Sequence, residues 1–286
     1  MILKRIENRS NQRVAVVTGS SSGNGYETSL TLARNGFVTY ATMRNLIKGE
    51  KLKSVADKEK LPLKTVQLDV TEDISLKNAI QSITAEASRI DVLVNNAGYG
   101  LFGAFEDLAM EEIKAQYETN LFGVIRVTQA VLPIMRKQKY GMIVNISSIA
   151  GRIGFPGSSA YVGTKFAIEG LSESMAYELE PFGIKVILVE AGAIKTNFFS
   201  GMISAKKSQD PNSPYSQVMQ NVTRGFEHIL ESGSSADVVA KVVLKAVTSE
   251  NPGLRHLAGN DAEKRMEEKR SMSDEEFHKM MKQLMK

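Results

Sequence analysis

Tyr161-Val162-Gly163-Thr164-Lys165 sets a phenol and an ammonium four residues apart at the start of a predicted helix, a spacing that puts both on one face. A tyrosine hydroxyl ordinarily titrates near about pH 10, too high for easy proton exchange at neutrality. An adjacent ammonium stabilises the phenolate, so Lys165 is expected to lower that value and make Tyr161 a general acid or base. Ser148 stands thirteen positions upstream, just past the apolar run 142–146, where its hydroxyl could hold a carbonyl oxygen beside Tyr161. The chemistry these three side chains suit is proton transfer at the oxygen of a carbonyl or alcohol. Tyr-x-x-x-Lys recurs by chance in many helices, so the reading depends on what accompanies it.

A second set of residues suits a phosphate. Thr18-Gly19-Ser20-Ser21-Ser22-Gly23-Asn24-Gly25 follows the apolar run 14–17 and leads into a helical stretch from Tyr26 to Arg34. Glycines permit a tight turn and close approach of backbone to a pyrophosphate, and the following helix N-terminus offers unpaired N–H groups and partial positive charge. At the end of the next apolar run, Tyr40-Ala41-Thr42-Met43-Arg44-Asn45 contains no carboxylate to accept from an adenosine ribose. Arg44 instead presents a planar donor fork suited to a 2′-phosphate, which predicts NADPH over NADH.

The elements that must position these groups are short, continuously apolar runs alternating with helical stretches: 14–17, 38–42, 65–68, 92–94, 142–146 and 184–189. Runs of that kind form a parallel sheet buried on both faces, a doubly wound, Rossmann-like α/β fold in a single domain. Residues 1–12 are expected to form a polar leader, 13–262 the domain, and 263–286 a charged helical tail. Ser273 with Glu276 makes a capping box in that tail, after which Phe277, Met280, Met281 and Leu284 share one helical face that should pack on the protein's own body or on a sister subunit. Between about 198 and 235 the alternation breaks, and Ser208-Gln209-Asp210-Pro211-Asn212-Ser213-Pro214 predicts an irregular substrate loop or lid.

The chain of 286 residues is long enough for one large core, and its net charge of +4 is too small to indicate a nucleic-acid partner. Zero cysteines exclude disulfides and thiol catalysis. With no apolar run near the length of a membrane span, the composition suggests a cytoplasmic protein. His228, His256 and His278 lack ligand spacing, so no metal is expected.

Taken in order, these motifs resemble the short-chain dehydrogenase/reductase family over about 13–262, nearest to its hydroxysteroid/retinol dehydrogenase and carbonyl reductase branch. The resemblance implies a NADP(H)-dependent oxidoreductase acting on CH–OH groups. It implies that Gly19, Ser21, Ser22, Gly23, Asn24 and Gly25 cradle the cofactor, that Asp69 and Val70 meet the adenine, and that Asn96, Ala97 and Gly98 border its ribose. It further implies that Asn120 holds a proton-relay water and that Ser148 orients the substrate oxygen. Tyr161 would then transfer the proton, Lys165 would lower the tyrosine's pKa and bind the nicotinamide ribose, Gly192 would border the cofactor, and Ile194 and Thr196 would hold the carboxamide. Two departures stand out: Ala191-Gly192 replaces the family's Pro-Gly, which is expected to loosen that loop, and Asn24 replaces an apolar residue.

Tyr99, Leu101, Phe102, Ile149, Ile153, Phe155, Pro156, Phe198 and Phe199 suggest an apolar rim for a hydrophobic ketone, aldehyde or alcohol. A reductase of 3-oxoacyl groups on acyl-carrier protein is the enzymatic alternative, and a non-catalytic dinucleotide sensor the other. The resemblance also implies a homo-oligomer, a dimer or tetramer, assembled through helices starting near Glu111 and Tyr161.

Overall fold

The computed structural model describes residues 12–196, 198 and 201–284. Apart from Gln12, the expected leader lies outside the described residues, as does Phe199. Seven strands, β1 (Val14–Val17), β2 (Val38–Met43), β3 (Leu63–Gln67), β4 (Val92–Asn95), β5 (Gly141–Ser148), β6 (Ile184–Ala191) and β7 (Arg255–Ala258), form one sheet. All its pairings are parallel, in the order β3-β2-β1-β4-β5-β6-β7. The chain leaves β1 towards β2 and later returns to β1's other side as β4, so the order reverses there and a crevice opens beyond the strands' C-terminal ends.

Alternate residues of the apolar strands feed two cores. Ala15 and Val17 pack with Leu32 of α1 (Gly23–Arg34) and with Val239 and Val243 of α8 (Ala236–Thr248). Val14 and Val16 face the other way, onto Ile80 and Ile83 of α3 (Asp73–Ala87) and Val127 and Val131 of α5 (Gly123–Gln138). A strand buried on both faces can therefore carry no polar alternation, which is why the runs are continuous. Helix α2 (Glu50–Glu59) bridges β2 and β3.

Helix α4 (Met110–Tyr117) runs into α5 through a π-helical turn, Glu118–Phe122, that holds Asn120. Such single-turn insertions redirect one side chain without ending the helix. Helix α6 (Ser159–Leu179) lies against β5 and β6 and ends at Pro181-Phe182-Gly183, with Gly183 at φ +70°.

The stretch 198–235 is more ordered than its composition suggests. Ile203–Ser204 pairs with Leu101–Phe102 as a short parallel ribbon, and α7 (Ser216–Glu231) follows. Met219, Val222, Phe226 and Ile229 recur at helical spacing, while the turn-forming residues are confined to 208–214. Ser213 Oγ donates to buried Asp107 Oδ2 at 2.7 Å and the Tyr215 hydroxyl to Glu106 Oε2 at 2.7 Å, pinning the segment to the chain beyond β4.

The tail also belongs to the body. The boundary expected after 262 falls inside α9 (Asn260–Ser271), and α10 (Asp274–Leu284) begins at the capping box, where Ser273 N donates to Glu276 Oε2 at 2.9 Å. Phe277 and Met281 are buried with Ala262 and Met266 against Ile149 and Ile153. No helix among the described residues is long and apolar enough to cross a membrane.

Candidate active site

The glycine turn is shaped by contacts that leave no room for side chains. Gly19 has φ +68°, and a Cβ there would lie 2.8 Å from Ala97 Cα; one on Gly25 would lie 2.4 Å from both the Gly19 oxygen and Asn96 Nδ2. Asn96 staples the turn to β4, with Nδ2 donating to the Thr18 and Gly19 oxygens at 2.9 and 3.1 Å. Thr18 Oγ1 accepts from the N–H groups of Asn96 and Ala97, at 3.0 Å each. The resulting cradle opens onto the first turn of α1, whose Ser22 side chain makes no capping bond. A group with backbone-binding phosphates fits this cradle, because the N–H groups stay available and bare backbone can approach it.

All but one of the site residues expected from sequence line a single cleft of about 1090 Å³: Gly19, Ser21, Ser22, Gly23, Asn24, Arg44, Asp69, Val70, Asn96, Ala97, Gly98, Asn120, Ser148, Tyr161, Lys165, Gly192, Ile194 and Thr196. Gly25 lies beneath the turn instead, buried and pressed on Gly19. At the far end, Arg44 is exposed at the rim and forms no ion pair among the described residues. Asn45 Oδ1 accepts from Ile47 N at 2.9 Å, shaping a short 3-10 turn that brings Lys48 to the same rim. Asp69 keeps its own loop in shape, accepting from the N–H and hydroxyl of Thr71 at 3.0 and 2.8 Å.

At the other end, Tyr161, Ser148 and Lys165 converge from α6 and β5. The Ser148 hydroxyl accepts from Ala150 N at 3.1 Å, donates to the Ala191 oxygen at 3.1 Å, and lies near enough to the Tyr161 hydroxyl to influence its titration. Loss of water around Tyr161 pushes its pKa above the ordinary value, and the neighbouring Ser148 hydroxyl works against that rise. This corrects the expectation for the phenol: the opposing influence is the serine and not Lys165. The lysine ammonium donates to the Ile146 oxygen at 2.7 Å and sits 5.6 Å from the Tyr161 ring centre. Burial pushes the Lys165 pKa down to about 8, with Glu169 working to raise it.

Asn120 is buried and clamps the chain beyond β4. Its Nδ2 donates to the Tyr99 oxygen at 2.8 Å and its Oδ1 accepts from Tyr99 N at 3.0 Å. The loop after β6 is not loosened by Ala191. Gly192 N donates to the Ala258 oxygen at 2.9 Å and Ala193 N to Asp261 Oδ2 at 2.6 Å. A Cβ on Gly192 would come within 2.3 Å of that carboxylate.

The apolar rim is only partly as expected. Tyr99, Ile149, Phe155 and Phe198 line the cleft, whereas Leu101 and Ile153 are core residues and neither Phe102 nor Pro156 lines it. Phe102 instead meets Phe226 edge-on at 5.9 Å. In their place come Met202, Ile203, Phe226 and Ile229, with Lys48 and Asp261 as further residues unforeseen from sequence. The helical spacing within α7 was the signal for two of them. Nothing local marks Lys48 or Asp261, which the fold alone brings to the cleft. Among the described residues there is no cluster of three potential metal ligands.

The short-chain dehydrogenase family model matches residues 13–207. The uncharacterized oxidoreductase YusZ of Bacillus subtilis is 39% identical over 84% of this chain and 86% of its own length. The 3-ketodihydrosphingosine reductase of Bacteroides thetaiotaomicron is 37% identical, over 86% and 88%. A short-chain dehydrogenase from Streptomyces avermitilis superimposes with a TM-score of 0.79 at 33% identity, covering 91% of this chain and 94% of its own. The parallel sheet, the glycine turn, and the serine, tyrosine and lysine of the cleft thus occur in a chain that belongs to the short-chain dehydrogenase family of oxidoreductases.

Proposed function

We propose that the protein is an NADP(H)-dependent reductase of hydrophobic ketones or aldehydes, with Tyr161 as proton donor. The observation that carries this reading is the convergence of Ser148, Tyr161 and Lys165 on the cleft that the glycine turn enters. Arg44 and Lys48 at the adenosine end favour a phosphorylated ribose, because both are cations and the turn after β2 that carries them, 44–48, has no carboxylate to accept from a ribose hydroxyl.

Bound NADPH supplies the hydride that adds to the carbonyl carbon. Tyr161 gives its proton to the carbonyl oxygen, and Ser148 turns its hydroxyl hydrogen onto the same oxygen. Burial keeps the phenol protonated at neutral pH, the form that reduction requires. Lys165 then offers a proton from an ammonium whose pKa lies close to the working pH. Gly192, Ile194 and Thr196 shape the wall for the nicotinamide, Asp69 and Val70 that for the adenine, and Asn120 fixes the Gly98-Tyr99 loop between them.

Phe155, Phe198, Met202, Phe226 and Ile229 give the substrate end an apolar wall, which suits a bulky carbonyl compound without charge. The name of the Bacteroides relative, 3-ketodihydrosphingosine reductase, supports a ketone as substrate. A panel of ketones, aldehydes, alcohols and acyl thioesters, followed by nicotinamide absorbance, tests the assignment. Turnover is expected with apolar ketones or aldehydes and NADPH, and is expected to vanish in Tyr161→Phe while cofactor binding persists. Full activity in that variant, or activity confined to acyl thioesters, would overturn it.

The same reading includes a cytoplasmic homo-oligomer. Phe122, Phe166 and Tyr177 lie exposed on the π-helical turn and α6, a distribution that supports self-association through these helices. Light scattering that shows only monomer would refute the oligomer.

A further inference from the structure

Four ionisable residues follow one another at single helical turns on α6: Tyr161, Lys165, Glu169 and Glu173. The third is unusual for an acid, being 4% exposed, and Glu190 of β6, at 2%, is buried beside it. A buried carboxylate persists only with partners, because the desolvation of an isolated charge is prohibitive. Arg255, at the start of β7, joins the acids. Its Nε donates to Glu169 Oε2 at 2.9 Å and lies 3.4 Å from Glu190 Oε1, and a terminal nitrogen donates to Glu173 Oε2 at 2.7 Å. Arg152 donates to Glu190 Oε1 at 2.9 Å.

The charges decide what this cluster is for. Three carboxylates meet two guanidinium groups, which leaves one negative charge uncompensated, and the next cation along the helix is Lys165. The cluster also lies directly behind the reacting groups. Ser147 precedes Ser148 on β5 and faces the opposite side of the sheet, next to its register partner Glu190 and to Glu169. A Cβ on Gly151 would lie 2.8 Å from Glu169 Cγ and 3.0 Å from Ser147 Oγ, so a side chain there would part the two. Burial pushes the Glu169 carboxyl above its ordinary value and Glu190 adds to the rise, while the Ser147 hydroxyl and Arg255 work against it and favour the charged form; Ser147 Oγ and Glu169 Oε1 are not themselves aligned as a hydrogen bond.

We propose that Glu169 is a positioning residue for Lys165: its carboxylate, anchored by Arg255 one helical turn along, holds the lysine as an ammonium behind the Tyr161 hydroxyl. This rests on the assignment of Tyr161 and Lys165 above. The groups that face the pair are Ser147 on β5, Glu190 on β6, Arg255 on β7, Arg152 after β5, and Tyr161 and Glu173 on α6 itself. From α4, Tyr117 packs on Gly163 of the same helix.

The test is the titration of Lys165 in protein labelled with 13Cε-lysine, its resonance identified by its absence in Lys165→Met. In Glu169→Gln the midpoint is expected to fall by about one pH unit or more, as for removal of an opposite charge one helical turn away. The alkaline limb of the kcat profile should move down with it. Glu169→Asp, which keeps the charge, should restore most of the midpoint, and Glu173→Gln should leave it nearly unchanged. Ser147→Ala, which leaves the packing intact, should move it the same way by less, and decides the matter if Glu169→Gln does not fold. An unchanged or raised midpoint in the folded variant overturns the proposal. Because the midpoint needs no turnover, that failure is separate from activity surviving in Tyr161→Phe, which would remove the catalytic assignment itself.

Discussion

The ammonium of Lys165 donates to the backbone oxygen of Ile146 at 2.7 Å, two residues before Ser148 on the same strand. Strand β5 therefore holds the serine directly and the lysine through its backbone, while α6 carries tyrosine and lysine one turn apart. The three groups form one rigid unit, and rigid placement is what proton transfer and hydride alignment require.

That unit is costly to fold. The pKa of Lys165 falls from 10.5 to about 8, so below pH 8 both folded and unfolded chains hold the proton and the folded chain bears the full penalty of burying it. The penalty is about 3 kcal/mol and fades as pH rises from 8 to 10.5, where the unfolded chain still binds the proton that the folded one has released. Lys165→Met removes it but leaves the Ile146 oxygen unpaired, at about 1–2 kcal/mol. The variant is expected to lose turnover yet melt about 2–4 °C higher at pH 7. Thermal unfolding at pH 7 and pH 10 checks this: the gain should be larger at pH 7, and a lower Tm at both would contradict it.

Arg44 stands exposed at the adenosine end with Lys48 beside it on the same rim. A charge-assisted contact to a phosphate contributes about 1.5–3 kcal/mol. Arg44→Ala should therefore raise the Kd for NADPH at least about tenfold while that for NADH stays within about twofold. Lys48→Ala should act the same way but less, since a flexible ammonium is held less firmly than a planar fork. Fluorescence titration with both nucleotides distinguishes the outcomes; equal affinities unaffected by either change would remove the basis for NADP(H) preference.

Gly25 offers a sharper test of the cradle. Its missing Cβ would lie 2.4 Å from the Gly19 oxygen, which is backbone and cannot swing away. Gly25→Ala is thus expected to distort the turn and abolish measurable nucleotide binding while circular dichroism retains the sheet. By contrast Gly36→Ala, where nothing lies within 4 Å, keeps nucleotide binding and pays only for its φ of +84°. Binding at ordinary strength in Gly25→Ala would show that the turn is not what holds the cofactor.

What could be read from the sequence divides along physical lines. Strands buried on both faces announce themselves as continuous apolar runs, so six of the seven are locatable, and motifs tied to strand ends, such as the glycine turn after β1 and Ser148 at the end of β5, are placed with them; β7, which carries Arg255 and His256 and is only partly buried, gives no such run. Residues that act across the fold left no local mark. Asp261 receives the Ala193 N–H from a helix after the last strand, and Lys48 reaches the rim only because Asn45 shapes its turn. The Tyr161 environment is not legible in the sequence for a related reason: helical spacing shows that Lys165 is near, but the burial that dominates the phenol is a property of the packed cleft. Helix α7 is masked in the sequence because the Ser-, Asn- and Pro-rich stretch 208–214 breaks the strand–helix alternation just before its apolar stripe begins.

That stripe sets the fourth expectation. Phe226 lines the cleft from α7 and meets Phe102 edge-on, so it carries apolar surface to the substrate end. Phe226→Ala should raise KM for a bulky apolar ketone about tenfold or more, the loss of roughly 1.5–3 kcal/mol of side-chain burial, and change KM for a small ketone little. The kcat on the small ketone should be unaltered. Equal effects on both substrates would place Phe226 in the packing of the segment and not in substrate recognition.

The last expectation concerns the tail, whose residues lie far from the glycine turn in sequence but underlie the chain that follows Ser148. Phe277 is 5% exposed and packs with Met281 and Met266 against Ile149 and Ile153, the latter itself 3% exposed. Phe277→Ala leaves a cavity there and is expected to cost about 3–5 kcal/mol. The loss falls on the segment between Ser148 and Tyr161, so catalysis should weaken along with stability: a lower Tm together with a rise in KM for the bulky ketone. Phe277→Leu, which refills most of the space, should recover both. If the tail served only to bind another molecule, Phe277→Ala would leave Tm where it is, because a surface side chain contributes little to folding. A fall in Tm with unchanged kinetics would instead confine its role to the hydrophobic cluster and detach it from the site.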